Sequence, residues 1–252
     1  MRPWPARSAH PRRAEPATLP REEVGTLRRP RHWTRWLLVG GAALLVLGVG
    51  GPFVYFHFIE GPAPPPLHLS TVKRAGAGAD VDGTWTVSPS STAGYRVQEI
   101  LFGQSNTAVG RTNAVTGHLT VAGTQVSGAT VTVDLTQVHS DASQRDGQFQ
   151  GRIMDTADHP TATFALTNPI TLTRIPPVGT PITVQGSGTL SLRGTTRPVT
   201  VTLSAQRTAT AIQLSGSIPI EFSDYGIPNP SFGPASTGDS GLIEFLLDYA
   251  RA

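Results

Sequence analysis

Ser140-Asp141-Ala142-Ser143-Gln144-Arg145-Asp146, then Phe149, then Asp155-Thr156-Ala157-Asp158-His159-Pro160-Thr161-Ala162-Thr163-Phe164: this stretch decides the fold. It is a polar, helix-compatible insertion in a region that otherwise reads as β-strands. The strand-like Thr130-Val131-Thr132-Val133-Asp134-Leu135 precedes it, and Pro160 hands over to the strand-like Thr161–Leu166. A segment of this kind crosses from one strand to the next and closes one mouth of a barrel. A closed mouth makes a container, and a container suggests a buried ligand. Arg145, Phe149 and Ile153 are spaced by four and share one helical face, which directs Phe149 and Ile153 at the barrel.

Outward from this stretch, period-two alternation dominates. Val131, Val133 and Leu135 alternate with Thr130, Thr132 and Asp134; Val199, Val201, Leu203 and Ala205 alternate with Thr200, Thr202 and Ser204. Ile212, Leu214, Ile218, Ile220 and Phe222 repeat the pattern, as do Ala162, Phe164 and Leu166. One apolar face at period two is the signature of a half-buried antiparallel sheet. Turn residues are expected to separate the runs at Ala122-Gly123, Ser127-Gly128, Gly186-Ser187-Gly188, Arg193-Gly194 and Ser215-Gly216. Strands at this spacing predict a sandwich or a barrel. Gly241–Tyr249 reads as a closing strand, with a short helix as the other reading.

The chain has 252 residues and no cysteine. Disulfides, thiolate metal sites, a cysteine nucleophile and acylation at an N-terminal cysteine are therefore excluded. The sequence pI near 9.8 belongs to a tail. Residues 1–35 hold nine Arg against three Glu, whereas residues 81–252 hold nine Arg against twelve Asp and Glu. The folded part lacks the basic surface that a nucleic-acid partner requires.

Trp36–Ile59 runs WLLVGGAALLVLGVGGPFVYFHFI, 24 residues without a charged side chain. As a helix it would be roughly 36 Å long, enough to cross a ~30 Å hydrocarbon core. It exceeds the apolar core of an ordinary signal peptide. Arg28, Arg29, Arg31 and Arg35 precede it and only Glu60 follows closely. The positive-inside rule then places the N-terminus in the cytoplasm and the remainder outside. The expected organisation is a basic disordered cytoplasmic tail (1–35), a transmembrane helix (36–59), a Pro/Gly-rich linker (60–80) that tethers the next domain, and a β-barrel (81–252).

The barrel region resembles the YceI-like family. The resemblance rests on Val109-Gly110-Arg111 and Val115-Thr116-Gly117, on Val133-Asp134-Leu135 leading through Ser140-Asp141 to Arg145-Asp146, and on His159-Pro160-Thr161-Ala162-Thr163-Phe164. It continues with Gly188-Thr189-Leu190-Ser191-Leu192-Arg193-Gly194-Thr195-Thr196-Arg197-Pro198-Val199 and with Phe222-Ser223-Asp224-Tyr225-Gly226-Ile227. Many members carry His-Leu two residues after the Asp of the dipeptide; here Gln148-Phe149 stands there. The resemblance implies an all-β, extended antiparallel, lipocalin-like barrel with a short helical crossing segment. It also implies a long isoprenoid lipid, of quinone or polyprenol type, held inside.

Burying hydrocarbon contributes ~0.8 kcal/mol per CH₂, roughly 3–4 kcal/mol gross for a five-carbon unit, so no catalytic group is needed for such binding. The expected lining is Val133, Phe149, Ile153, Phe164 and Phe222, with Tyr225 near a mouth. Arg145 and Asp146 form either a polar mouth or a structural pair. No catalytic residue, metal ligand or cofactor is expected. The seven His, at 10, 32, 57, 68, 118, 139 and 159, form no H-E-x-x-H, and no G-x-S-x-G elbow occurs. The alternative is a ligand-free envelope module with a filled barrel, used for interaction or structure.

Overall fold

The structure, a computed structural model, describes residues 32–54, 63–75, 80–233 and 235–252. Helix α1 (His32–Val54) has 23 residues, with no acidic residue in its first turn and no basic residue in its last. Leu38, Leu44, Leu45 and Val46 on it are exposed. Among the described residues no helix is long and apolar enough to cross a membrane. The expected span continues past Val54 through residues 55–59, which lie outside the described set, as does the expected cytoplasmic tail up to residue 31.

The remaining elements are β-strands and short helical turns. In chain order the strands are β1 (Gly83–Val87), β2 (Thr92–Leu101), β3 (Gln104–Thr112), β4 (Val115–Ala122), β5 (Gln125–Asp134), β6 (Thr161–Leu166) and β7 (Ile170–Thr171). There follow β8 (Ile182–Leu192), β9 (Thr195–Arg207), β10 (Ala211–Glu221), β11 (Ala235–Thr237) and β12 (Ser240–Arg251). All pairings are antiparallel, and β1-β4-β5-β6-β8-β9-β10-β12 returns to β1 as an eight-stranded ring. The final stretch is thus the closing strand and not a helix. Its alternation puts Ile243, Phe245 and Leu247 on the lumen, where they border a cavity.

Strand β12 is shared by two partners on one side. Its C-terminal end pairs with β1 (Val87↔Tyr249, Trp85↔Arg251), and its N-terminal half pairs with β2 (Thr92↔Leu246, Arg96↔Leu242). The β2–β3 hairpin therefore extends the wall at one end of the barrel, here called the upper end. Its turn, Phe102-Gly103, has φ of 50° and 80°, and the β8–β9 turn, Arg193-Gly194, has 47° and 74°. Two consecutive positive φ values define the mirror-image turn whose twist matches that of the strands. The hairpin's free edge is closed by the crossing segment: Arg111 N–H donates to His139 O at 2.8 Å and His139 N–H to Arg111 O at 3.0 Å.

The apolar faces form two clusters. The upper one includes Leu135, Phe149, Met154, Leu192 and Phe222; the lower one includes Trp85, Leu119, Leu247 and Tyr249. Trp85 is 5 % exposed and its indole N–H donates to Val81 O at 2.9 Å, so its polar atom is satisfied in the core.

Residues 63–75, the described part of the expected linker, lie along the outer wall of the barrel. Arg96 Nη2 donates to Pro64 O at 2.7 Å, and Arg111 donates to Pro65 O. Both guanidiniums also hold Glu244, at 3.0 and 2.7 Å, and Glu244 is 4 % exposed. Further along, Ser70 N–H and Oγ donate to Gln213 Oε1 at 2.7 and 2.9 Å, and Gln206 Nε2 donates to Ser70 O at 2.8 Å. Ala75 N–H donates to Val178 O at 3.2 Å. The reason is chemical. Proline has no N–H, so Pro64 and Pro65 offer carbonyls, which the guanidiniums of Arg96 and Arg111 bind, while Ser70 both donates and accepts and Ala75 donates.

Candidate ligand cavity

The crossing segment is built by local caps. The Asp134 side chain accepts from Thr136 N–H at 2.9 Å and so caps the 3₁₀ turn Leu135–Gln137. Helix α2 (Ser143–Gln148) follows and widens into a π turn over Phe149–Ile153, where Met154 N–H reaches Phe149 O at 2.8 Å. Single π turns recur at functional sites. Arg152 Nη1 donates to Asn229 O at 2.9 Å and Nη2 to Pro230 O at 3.2 Å, which ties the segment to the loop beyond Tyr225.

The expected pair Arg145-Asp146 divides its work. Asp146 accepts from Ser140 N–H at 2.8 Å and Ser140 Oγ at 2.6 Å, with His139 Nδ1 at 3.3 Å. It buttons the incoming chain onto α2. Arg145 pairs with Asp141, four residues earlier, and with Glu99 of β2 at 3.4 Å. The dipeptide thus joins the crossing segment both to itself and to the opposite wall.

The described residues border two cavities in the interior. The upper one, about 430 Å³, lies between the β2–β3 hairpin, the crossing segment and the loop 227–237. The lower one, about 190 Å³, lies inside the closed ring. Ala93, Val133, Ala162 and Ile243 border both and form a waist between them. The upper volume falls within the ~300–1,000 Å³ usual for small-molecule sites.

Of the residues singled out in the sequence, Phe149, Ile153, Phe222 and Arg145 line the upper cavity, Phe164 lines the lower one, and Val133 lines both. Tyr225 lines neither. It sits in the 3₁₀ turn Phe222–Tyr225, 2 % exposed, packed in the upper core cluster. The sequence reading put it near a mouth; the structure places it in this turn, away from the lining of either cavity.

Two residues of β2 were not anticipated. Tyr95 lines the upper cavity and stacks on Phe149, with ring centroids 5.0 Å apart and planes 19° from parallel. Its seat is Gly110, directly across the ladder, where a Cβ would stand 2.3 Å from the Tyr95 ring. Burial holds the Tyr95 phenol well above its ordinary value of 10.0, with Arg145 pulling the other way. Glu99 also lines the upper cavity, is 8 % exposed, and accepts from Asn106 Nδ2 at 2.8 Å. A signal was available: Ala93, Tyr95, Val97, Glu99 and Leu101 stand in one phase, so the carboxylate falls on the apolar face.

Among the described residues no group of three His, Asp or Glu is placed to hold a metal ion. What the arrangement offers is an apolar interior in two chambers, with one polar corner at Tyr95, Glu99 and Arg145.

This geometry has relatives among solved structures. A polyisoprenoid-binding domain from Saccharophagus degradans superposes with a TM-score of 0.53 at 20 % identity, covering 67 % of this chain and 98 % of that one. Burkholderia cenocepacia BcnA follows with a TM-score of 0.49 at 17 % identity, covering 64 % and 98 %. The Campylobacter jejuni YceI protein gives 0.48 at 14 %, covering 57 % and 84 %. No curated protein sequence matches the chain. The YceI-like domain matches residues 85–249, which run from β1 to the end of the closing strand. The chain belongs to the YceI-like family.

Proposed function

We propose that this protein is a binding protein, without catalytic activity, that holds a long isoprenoid lipid of quinone or polyprenol type inside its barrel. The observation that carries the reading is the pair of apolar cavities meeting at Ala93, Val133, Ala162 and Ile243. A filled barrel would serve a purely structural or interaction module; a two-chambered apolar interior suits an elongated hydrocarbon. The fold shared with a polyisoprenoid-binding domain supports the same reading.

We further propose that the barrel works on the outer side of the cell membrane, anchored by a single span over residues 36–59 with the N-terminus in the cytoplasm. The uncharged run through Ile59 and the arginines before it support this. The exposed leucines of α1 agree, since apolar side chains on a helix surface are stabilised by a hydrocarbon environment.

The test is to express the full chain, purify it from membranes in mild detergent, and extract bound lipid for mass spectrometry. Recovery of a stoichiometric isoprenoid is expected. A folded protein that carries none, and takes up neither quinone nor polyprenol when these are added, refutes the lipid reading. Protease protection of residues 1–35 in sealed spheroplasts, with digestion of the barrel from outside, checks the placement.

A further inference from the structure

We propose that the polar corner of the upper cavity selects an uncharged headgroup and rejects a phosphorylated one. This inference rests on the lipid-binding reading above and adds an orientation and a specificity to it.

The orientation comes from the walls. The lower cavity is bordered by Leu119, Val131, Phe164, Leu203 and similar carbon surfaces. It suits a hydrocarbon tail. The upper cavity is bordered by the polar residues Tyr95, Glu99, Gln144, Arg145 and Gln148. A lipid with one polar end is matched when that end lies in the upper chamber and its tail passes the waist.

The specificity comes from charge. Arg145 is the cation that borders the upper cavity among the described residues. Its guanidinium is already shared by two carboxylates, Glu99 at 3.4 Å and Asp141. Asp146, the next residue along α2, adds a third carboxylate beside Ser140. Within the lining Glu99 and Arg145 thus already pair, and Asp141 and Asp146 stand beside the arginine outside it, so the corner has no cation to spare. Glu99 is 8 % exposed and its Oε1 is held by Asn106 at 2.8 Å as well as by Arg145 at 3.4 Å, so it is fixed in place. A phosphate or diphosphate placed there meets a fixed, buried carboxylate and finds its natural partner, the guanidinium, occupied. A neutral carbonyl or hydroxyl oxygen meets no such penalty. The Tyr95 hydroxyl and the amides of Gln144 and Gln148 are donors suited to it. Arg207 borders the far end of the lower cavity; a phosphate drawn to that end instead would bind without discrimination, and the experiment reads this directly.

The experiment uses the full chain in nonionic detergent and measures equilibrium binding of decaprenol, a menaquinone of similar length, and decaprenyl phosphate. At least one neutral lipid is expected to bind about tenfold or more tightly than the phosphate. Which neutral lipid binds distinguishes an alcohol from a quinone as the source of the oxygen. The ratio of neutral to phosphorylated affinity is expected to narrow in Glu99→Gln. It is expected to narrow also in Asp141→Asn, whose side chain is 45 % exposed and whose substitution spares the fold. Phosphate binding equal to or tighter than that of both neutral lipids overturns the proposal and leaves the lipid-carrier reading standing. A ratio unmoved in both variants overturns it as well. Binding of none of the three overturns the carrier reading and this proposal together.

Discussion

Tyr95 of β2 and Phe149 of the crossing segment lie stacked with ring centroids 5.0 Å apart, and this contact joins the barrel wall to the segment that covers its upper end. Phe149 is 9 % exposed. Phe149→Ala should cost about 3–5 kcal/mol, from the deleted ring volume and the lost stack. Urea unfolding followed by circular dichroism checks this, and a loss below 1 kcal/mol would show that the ring is not part of the packed core.

Stability should fall at high pH. Burial raises the folded-state phenols of Tyr95 and Tyr249 above the ordinary value of 10.0. In the unfolded chain both phenols lose their protons near pH 10, while the folded chain retains them. The neutral form is favoured by the fold, so this stability is fully present below about pH 10 and drains away as the pH rises above it. Urea midpoints measured at pH 9 and pH 11.5 should drop over this interval. Tyr95→Phe, which cannot ionise, should drop by less.

Gly188 of β8 faces Phe164 so closely that a Cβ there would stand 2.5 Å from the Phe164 ring and 2.5 Å from the Ala165 carbonyl. Since backbone and a lumen side chain block it from two directions, Gly188→Ala should destabilise by about 1–3 kcal/mol. A crystal structure of the variant should show Phe164 displaced in the lower cavity. An undisturbed Phe164 with full stability would argue that the ring has free space to move.

Glu244 is held by Arg96 and Arg111 while being 4 % exposed. Removing it leaves two guanidiniums with only the Pro64 and Pro65 carbonyls. Glu244→Ala should therefore cost about 3–5 kcal/mol, more than Arg96→Ala. The segment 63–75 should loosen with it, and trypsin cleavage after Lys73 or Arg74 should accelerate. Unchanged cleavage kinetics would show that the segment is held by other contacts.

The waist offers a steric test of the two chambers. Ala162 is 8 % exposed and borders both cavities. Ala162→Leu should narrow the passage at a stability cost of about 1–3 kcal/mol. Binding of a ten-unit prenol should weaken more than that of a three-unit one. Equal weakening for both lengths would mean that the ligand does not pass the waist.

Much of this was legible along the chain. Period-two alternation is a local consequence of strand geometry, so Val131-Val133, Val199–Ala205 and Ile212–Ile220 announced their inward faces without knowledge of any partner. The caps of the crossing segment are local too: Asp134 to Thr136 and Asp146 to Ser140 join residues two and six apart. Hence the antiparallel β class and the position of the crossing segment followed from residue order. The uncharged run before the barrel is likewise a property of sequence alone.

What the sequence could not determine joins residues far apart. Glu99 meets Arg145 across 46 positions, Arg111 meets Glu244 across 133, and Ser70 meets Gln213 across 143. Each contact depends on ladder register and on where the ring closes, and local propensity encodes neither. The tertiary structure alone therefore shows residues 63–75 running along the barrel wall. It placed Tyr225 in the upper core cluster, and it set a carboxylate and a guanidinium together in one corner of the upper cavity.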